Sequence, residues 1–263
     1  MSKNTSWGKV AQWYDTMLEK DDDSFQSRVI LPNLMRSMNV GKNQVVLDLA
    51  CGQGFFSRVI AETGAYVIAS DISSELINLA KKHGGISKDA SSRGLAKTNI
   101  EYYVSPADDI QFCADNSVDS ILIVLALQNI QNVDGVLQEC NRVLKEKGSI
   151  YIVLNHPAFR GPKISSWGWD EKEKTQYRRM DEYLSEAKID IDMHPGQKKS
   201  EKTVSFHRPL QWYFKMFRKN GFGITKCEEW ISHREPTRGP RFAAEDKARK
   251  EFPLFLFLEG KKF

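Results

Sequence analysis

The sequence predicts an α/β fold in which helices cover both faces of a mostly parallel sheet. Apolar runs of strand length recur at residues 45–50, 65–69, 100–104, 118–125 and 149–154, with segments of helical spacing between most of them. The run at 118–125 is nearly continuous in Val, Ile and Leu, as strands buried on both faces are. The first run closes on Cys51-Gly52-Gln53-Gly54, after which Phe55, Phe56, Val59 and Ile60 resume at helical spacing. That is a buried strand, a glycine turn and a helix.

The glycine turn is the point around which the chain is organised. Two glycines there let the backbone approach a ligand, because neither carries a Cβ and both tolerate positive φ. Taken alone, such a pair also occurs in turns that bind nothing. Asp48 lies inside the apolar strand, where a carboxylate is costly to bury without donors. The second run ends in Ser70-Asp71, placing an acid about 20 residues beyond the glycines, the spacing of a ribose-binding acid. The third is followed by Ser105-Pro106-Ala107-Asp108. Three successive strands each bring a carboxylate to the same edge.

In order, these segments read V-L-D-L-A-C-G-Q-G (46–54), A-S-D-I-S (69–73), S-P-A-D-D-I (105–110) and S-V-D-S-I-L-I-V-L-A-L-Q-N-I (117–130). The series resembles the ordered motifs of class I S-adenosylmethionine-dependent methyltransferases, and is most similar to the small-molecule branch that includes quinone-biosynthesis enzymes. The resemblance covers residues 45–154, with a C-terminal pair of strands. It implies a Rossmann-like, seven-stranded, mostly parallel sheet with an antiparallel C-terminal strand, helices on both faces, and a cap insertion. It also implies S-adenosylmethionine as cofactor. Asp48, Ala50 and the Gly52 and Gly54 backbone would hold its methionine end, and Asp71 its ribose hydroxyls. Ile72, Ala107 and Asp108 would meet the adenine, and Leu125 would lie beside the sulfonium.

A nicotinamide dinucleotide fits less well. Phe55 and Phe56 crowd the turn where a pyrophosphate would sit, and Asp48 would set negative charge near negative charge. An ammonium and a sulfonium suit that acid better.

The 263 residues are 41% apolar, enough for one large core with an embellishment. A net charge of +4 permits a nucleic-acid partner without indicating one. No apolar run reaches the length of a membrane span, and Met1 to Trp7 carries no apolar signal region, so a cytoplasmic protein without membrane association is expected. Cys51, Cys113, Cys140 and Cys227 are scattered without a C-x-x-C pair, which argues against a zinc site or a disulfide framework. No metal is expected, and Cys51 reads as a small packed residue rather than a nucleophile. The oligomeric state is not legible.

Ahead of the first strand, residues 7–20 form an amphipathic segment with Val10, Trp13, Tyr14, Met17 and Leu18 on one face. Asp21-Asp22-Asp23-Ser24 breaks it, and a second helix runs from Phe25 to Met38. The resemblance makes residues 1–40 a helical lid, with Tyr14 as a cofactor contact; plain cover of the sheet is the alternative. A helix over 73–82 is capped by Ser73, His83 sits at its favourable C-terminal end, and 83–99 reads as a surface loop. A helix over 134–146 ends at Lys147-Gly148.

Asn155-His156-Pro157 sits at the tip of the fifth strand, where the resemblance places the substrate. The edge sequence L-A-L-Q-N (125–129) lacks both the D-P-P-Y-like motif and the Pro-Cys pair of DNA-base methylases. Residues 158–209 then interrupt the alternation for about fifty residues, too long for an ordinary connection, and read as a functional cap. The cap holds Phe159, Arg160, Trp167, Trp169, Tyr177, Arg178, Arg179, Tyr183, His194, Phe206, His207 and Arg208. Arginines among aromatics can cradle a flat anionic or carbonyl-bearing molecule, or stack on an RNA base. A satellite hydrophobic cluster with solvated basic residues is the plain alternative. Asn155, Arg160, Trp167, Trp169, Tyr177 and Phe206 are the candidate substrate contacts, and His207 and His156 the candidate catalytic groups.

A strand over 203–209 leads into a helix over 210–220 closed by Gly221, and strands over 223–230 and 254–260 finish the sheet. The basic residues between them, Arg234 to Lys250, read as a solvated face, with a grip on an acidic substrate as the alternative. The expected domain comprises 41–157 and 210–263, with 158–209 inserted. The expected function is methyl transfer from S-adenosylmethionine to an O, N or C atom of a small molecule. Transfer to RNA or protein, or cofactor binding without transfer, are the alternatives.

Overall fold

A computed structural model describes residues 6–20, 23–84, 99–192 and 201–263. Two helices, α1 (Ser6–Lys9) and α2 (Ala11–Lys20), precede a π-helical turn (Gln26–Ile30) that runs directly into α3 (Leu31–Ser37). Then follow β1 (Val45–Leu49), α4 (Phe55–Glu62), β2 (Tyr66–Asp71), α5 (Ser74–Gly84), β3 (Ile100–Val104) and β4 (Val118–Val124). A 3-10 turn (Leu127–Asn129) leads to α6 (Val133–Val143) and β5 (Leu144–Asn155). Beyond these lie β6 (Ser165–Asp170), β7 (Thr175–Met180), β8 (Ala187–Asp192), β9 (Lys202–His207), α7 (Leu210–Lys219), β10 (Phe222–Trp230), α8 (Phe242–Glu251) and β11 (Phe255–Lys262).

Seven strands form the central sheet in the order β10-β11-β5-β4-β1-β2-β3. Only β11 runs against the rest, pairing antiparallel with both β5 and β10. Alternate residues of the strands feed two cores. Leu47, Ile121, Ile152 and Leu256 meet Leu137 and Cys140 of α6 and Phe217 of α7 on one face. Val46, Val67, Leu122 and Phe257 meet Leu34 of α3 and Ile60 of α4 on the other. After β3 the chain crosses to the far side of β1 to make β4, so the strand order reverses between β1 and β4. Ligands of open parallel sheets bind outside the carboxyl ends of the strands at that reversal.

Three expectations change in detail. The segment 7–20 is broken at Val10, and Trp13 is 41% exposed while Ala11, Asp15 and Leu18 are buried, so the covered face passes through Tyr14 and excludes Trp13. The helix expected over 134–146 stops at Val143, because Leu144 pairs with Val118 of β4 and Ser117 N–H donates to the Val143 carbonyl at 2.8 Å. The sheet ladder outcompetes the last turn of helix. Ser73 caps α5 as expected, its Oγ accepting from Leu76 N–H at 3.2 Å. Residues 158–209 form two separate two-stranded sheets, β6 with β7 and β8 with β9. Most of the loop expected over 83–99, together with Asp21, Asp22 and His194, falls outside the described residues. Among the described residues no helix is long and apolar enough to cross a membrane.

Candidate active site

The carboxyl end of β1 turns sharply. Ala50, Gly52 and Gly54 all have left-handed φ, at 59°, 60° and 82°. Cys51 N–H donates to the Ser70 carbonyl at 2.9 Å, Gly54 N–H to the Cys51 carbonyl at 3.1 Å, and Arg58 N–H to the Gly54 carbonyl at 3.0 Å, which starts α4. A Cβ on Gly54 would stand 2.7 Å from Tyr102 Oη on β3, so space as well as φ demands glycine there. Leu125, one residue beyond β4, has a left-handed φ of 52°. Its N–H donates to the Val153 carbonyl at 2.8 Å, and its own carbonyl accepts Gln128 Nε2 at 2.8 Å. Left-handed backbone costs Ala50 and Leu125 roughly 1–2 kcal/mol each, strain of the kind that gathers at functional sites.

Between these two points lies a cleft. Asp48, Ala50, Cys51, Gly52, Gln53, Phe55 and Phe56 form one wall, Val124 and Leu125 another, and Tyr14, Leu18 and Gln26 close it from the N-terminal helices. A Cβ on Gly52 would lie 3.6 Å from the Tyr14 ring. Burial pushes the Tyr14 phenol up to about 12, against a hydrogen bond with Gln26. Tyr14 thus closes the cleft together with Gln26, Leu18 and Phe55; Gln26 carries no signal in the sequence, and Leu18 and Phe55 only apolar spacing.

Two buried carboxylates define the electrostatics. Asp71 is 7% exposed; its Oδ2 accepts Gly52 N–H at 3.0 Å and its Oδ1 accepts Ser73 N–H at 2.9 Å. Asp48 is 2% exposed and accepts the Ser57 hydroxyl at 2.5 Å. Burial drives Asp48 up to about 7, with the Ser57 hydrogen bond opposing and the Asp71 charge adding to the rise. Asp71 is also raised by burial, opposed by its backbone donors. Among the described residues no lysine or arginine forms an ion pair with either acid.

This donor set fits S-adenosylmethionine. The Asp71 carboxylate, fixed by two backbone donors, retains lone pairs for ribose hydroxyls. Asp48 sits under the glycine turn as an uncompensated acid suited to an ammonium group. Ile72, half-buried, directly follows Asp71. Ala107 packs on the core beside the third strand's end, and Asp108 is exposed, its Oδ2 accepting Asn132 Nδ2 at 2.8 Å, so that part of its bonding capacity is spent on the start of α6. Burial raises the Cys51 thiol well above its ordinary range, which suits packing and not nucleophilic attack.

The acceptor side differs more from expectation. His156 is engaged at both nitrogens: Nδ1 accepts from Ala158 N–H at 3.2 Å and Phe159 N–H at 3.3 Å, and Nε2 meets Glu229 Oε1 at 2.7 Å. Both nitrogens hold the loop after β5, so neither is free for a substrate proton. His207 is buried, with Nε2 donating to the Tyr183 carbonyl at 2.8 Å, which leaves Nδ1 as its acceptor nitrogen. Arg208 beside it is 4% exposed and donates to the Ile130 and Gln131 carbonyls at 2.9 and 3.1 Å, tying the end of β9 to the loop after β4. Its guanidinium also lies over Phe206 at 4.9 Å.

Asn155 ends β5 opposite Phe255 at the cleft's edge of the sheet. Arg160 lies over Phe255 at 4.8 Å and Phe25 at 5.4 Å, and burial lowers it to about 10. Trp167 and Trp169 share one face of the β6–β7 hairpin, while Tyr177 lies across Gly168 on the other. None of the three lines the cleft. Trp167 packs on Phe252 at 5.4 Å, and Arg241 stacks on Trp169 at 4.4 Å. The basic segment is therefore not merely solvated, since Arg241 fastens the hairpin and Arg249 Nη1 donates to the Ser232 carbonyl at 2.6 Å.

Comparison with known proteins agrees with this geometry. Residues 47–152 match the methyltransferase-domain family. The chain is 32% identical over 155 residues to a demethylmenaquinone methyltransferase of Tropheryma whipplei, covering 57% of this chain and 58% of that protein. It is 35% identical over 177 residues to a ubiquinone/menaquinone biosynthesis C-methyltransferase of Haemophilus ducreyi, covering 60% and 61%. The chain thus spans less than two thirds of the length of these curated relatives. The crystal structure of an S-adenosylmethionine-dependent methyltransferase from Mesorhizobium loti superposes with a TM-score of 0.71 at 22% identity, over 91% of this chain and all of that one. Residues 47–152 thus match a methyltransferase domain, and the sheet around them has the fold of a solved S-adenosylmethionine-dependent methyltransferase, which makes this chain similar to that family.

Proposed function

We propose that this protein transfers a methyl group from S-adenosylmethionine to a small-molecule acceptor held between the cleft and the segment 158–209. The observation that carries the reading is the pairing of two buried, cation-free acids with strained backbone at both Ala50 and Leu125. When bound, the cofactor supplies an electrophilic methyl on a sulfonium; the acceptor's lone pair takes the methyl, the carbon–sulfur electrons stay on sulfur, and any acceptor proton is lost. Asp71 orients the ribose, Asp48 the ammonium end, and Tyr14 with the N-terminal helices acts as a lid that excludes water. Leu125 borders the methyl. Ile72 covers the adenine, flanked by Ala107 and Asp108.

On the acceptor side Asn155 and Arg160 offer polar contacts, and Arg208 positions the loop after β4. His207 Nδ1 serves as the base where the acceptor carries a proton. The segment 158–209 works as a cap, its β6–β7 hairpin closed by α8. Support for a small acceptor comes from this coverage and from relatives whose names place them in quinone biosynthesis. The four free cysteines fit a reducing, cytoplasmic setting.

The test is incubation with isotopically labelled methyl donor and a fractionated cell extract, followed by mass spectrometry. Label in a low-molecular-weight product is expected. Label confined to RNA or protein, or cofactor binding without transfer in any fraction, overturns the reading.

A further inference from the structure

Among the described residues nothing answers the charge of Arg160. Its Nη1 is shut off from solvent and has no hydrogen-bond partner among the described residues. The guanidinium lies against Phe255 and Phe25, whose rings take its face and leave its N–H groups pointing in plane. Its backbone is fixed, with Arg160 N–H donating to the His156 carbonyl at 2.8 Å. Nearby cations are differently placed. Arg234 lies over the same Phe25 ring at 4.9 Å, and it shares the Asp23 carboxylate with Arg28 and His233. Asp23 does not reach Arg160. Of the other acid at this edge, Glu229, the carboxylate is engaged by His156.

The position is as telling as the missing partner. Phe255 begins β11 opposite Asn155, the last residue of β5. Phe25 directly precedes Gln26, which lines the cofactor cleft. Strands lie about 4.8 Å apart, so β11 is about 10 Å from β4, across which Leu125 marks the reacting end. That spacing, measured between strand backbones, is the length of a one-ring molecule. A half-buried guanidinium whose Nη1 is shielded from solvent and unpartnered is suited to an oxygen anion, and leaving that nitrogen unanswered is costly.

We propose that Arg160 seats an oxyanion of the methyl acceptor, so that the substrate is a small, flat molecule carrying a carboxylate or a phosphate about one ring away from the atom that is methylated. The inference rests on the methyltransferase reading and narrows it to acidic acceptors. Phe25 and Phe255 restrict the guanidinium to one plane and so select a bidentate approach.

The test is calorimetric titration of benzoate, phenyl phosphate and neutral benzyl alcohol into protein saturated with S-adenosylhomocysteine. Benzoate or phenyl phosphate is expected to bind about tenfold or more tightly than benzyl alcohol. Their order tells carboxylate from phosphate. Arg160→Met should weaken the anions about tenfold and leave S-adenosylhomocysteine within about twofold, while Arg160→Lys retains part of the anion affinity. Anions that bind no better than benzyl alcohol, or equally to Arg160→Met, overturn the proposal. Should Arg160→Met fail to fold, the wild-type preference and the Arg160→Lys affinity decide it. Failure of the underlying reading looks different, because S-adenosylhomocysteine then does not bind at all while the anion titration can still be run on the protein alone.

Discussion

Arg241 lies 4.4 Å from the centre of the Trp169 ring, and the same guanidinium reaches Glu171 at 3.1 Å. Both carboxylate and guanidinium are more than half exposed, so the ion pair contributes little and the stacking contributes most. Replacing Arg241 with Ala should loosen the β6–β7 hairpin by about 1 kcal/mol. Hydrogen exchange over 165–180 should speed up several-fold while cofactor affinity stays unchanged.

Gly54 combines a left-handed φ with contact to Tyr102 Oη. Gly54→Ala should cost about 1–3 kcal/mol by thermal unfolding, from backbone strain plus overlap. Adding Tyr102→Phe removes the 2.7 Å overlap and should recover part of the loss. The strain at φ 82° remains, as does the 3.2 Å approach to Ala80.

His83 Nε2 on α5 stands 2.6 Å from Asp15 Oδ1 on α2, the helix that carries Tyr14 into the cleft. His83→Ala leaves a nearly buried acid without that partner, and α2 should dock less tightly. A three- to tenfold weakening of S-adenosylhomocysteine binding, roughly 1 kcal/mol, is expected by calorimetry.

Asp48 gives the fold a pH dependence. Burial raises its folded value to about 7 from 3.8, so between about pH 4 and 7 the folded protein holds a proton that the unfolded chain has released. Stability therefore falls as pH rises through that window, by at most about 1.4 kcal/mol per pH unit, and levels off above it. Asp71, also raised, adds to the same slope. Unfolding temperatures measured from pH 4.5 to 8 should show a shallower slope in Asp48→Asn. Saturation with S-adenosylmethionine, whose positive groups favour the ionised acids, should flatten it in the wild type.

The cleft at the carboxyl end of β1 was legible because it is local. Asp48, the Gly52–Gly54 turn and Asp71 lie at strand tips, where spacing along the chain fixes spacing in space. Tyr14 could be read as a helix-face residue, although its neighbour Trp13 could not be separated from it by periodicity over a broken helix. The acceptor half depends on pairs far apart in sequence. Trp169 with Arg241, Arg160 with Phe255 and His156 with Glu229 are each set by which loops the sheet brings together. A histidine beside a turn proline gives no hint that two backbone N–H groups occupy its Nδ1. The stop of α6 at Val143 was likewise decided by strand pairing, against a helical pattern that runs on.

The most direct test of the account is calorimetric titration of S-adenosylmethionine into wild-type protein, Asp71→Asn and Asp71→Ala. The wild type should bind, with Asp71→Asn weaker by about tenfold and Asp71→Ala by about a hundredfold, as one and then both ribose acceptors are lost. No binding by the wild type, or equal affinity in all three, would contradict the account.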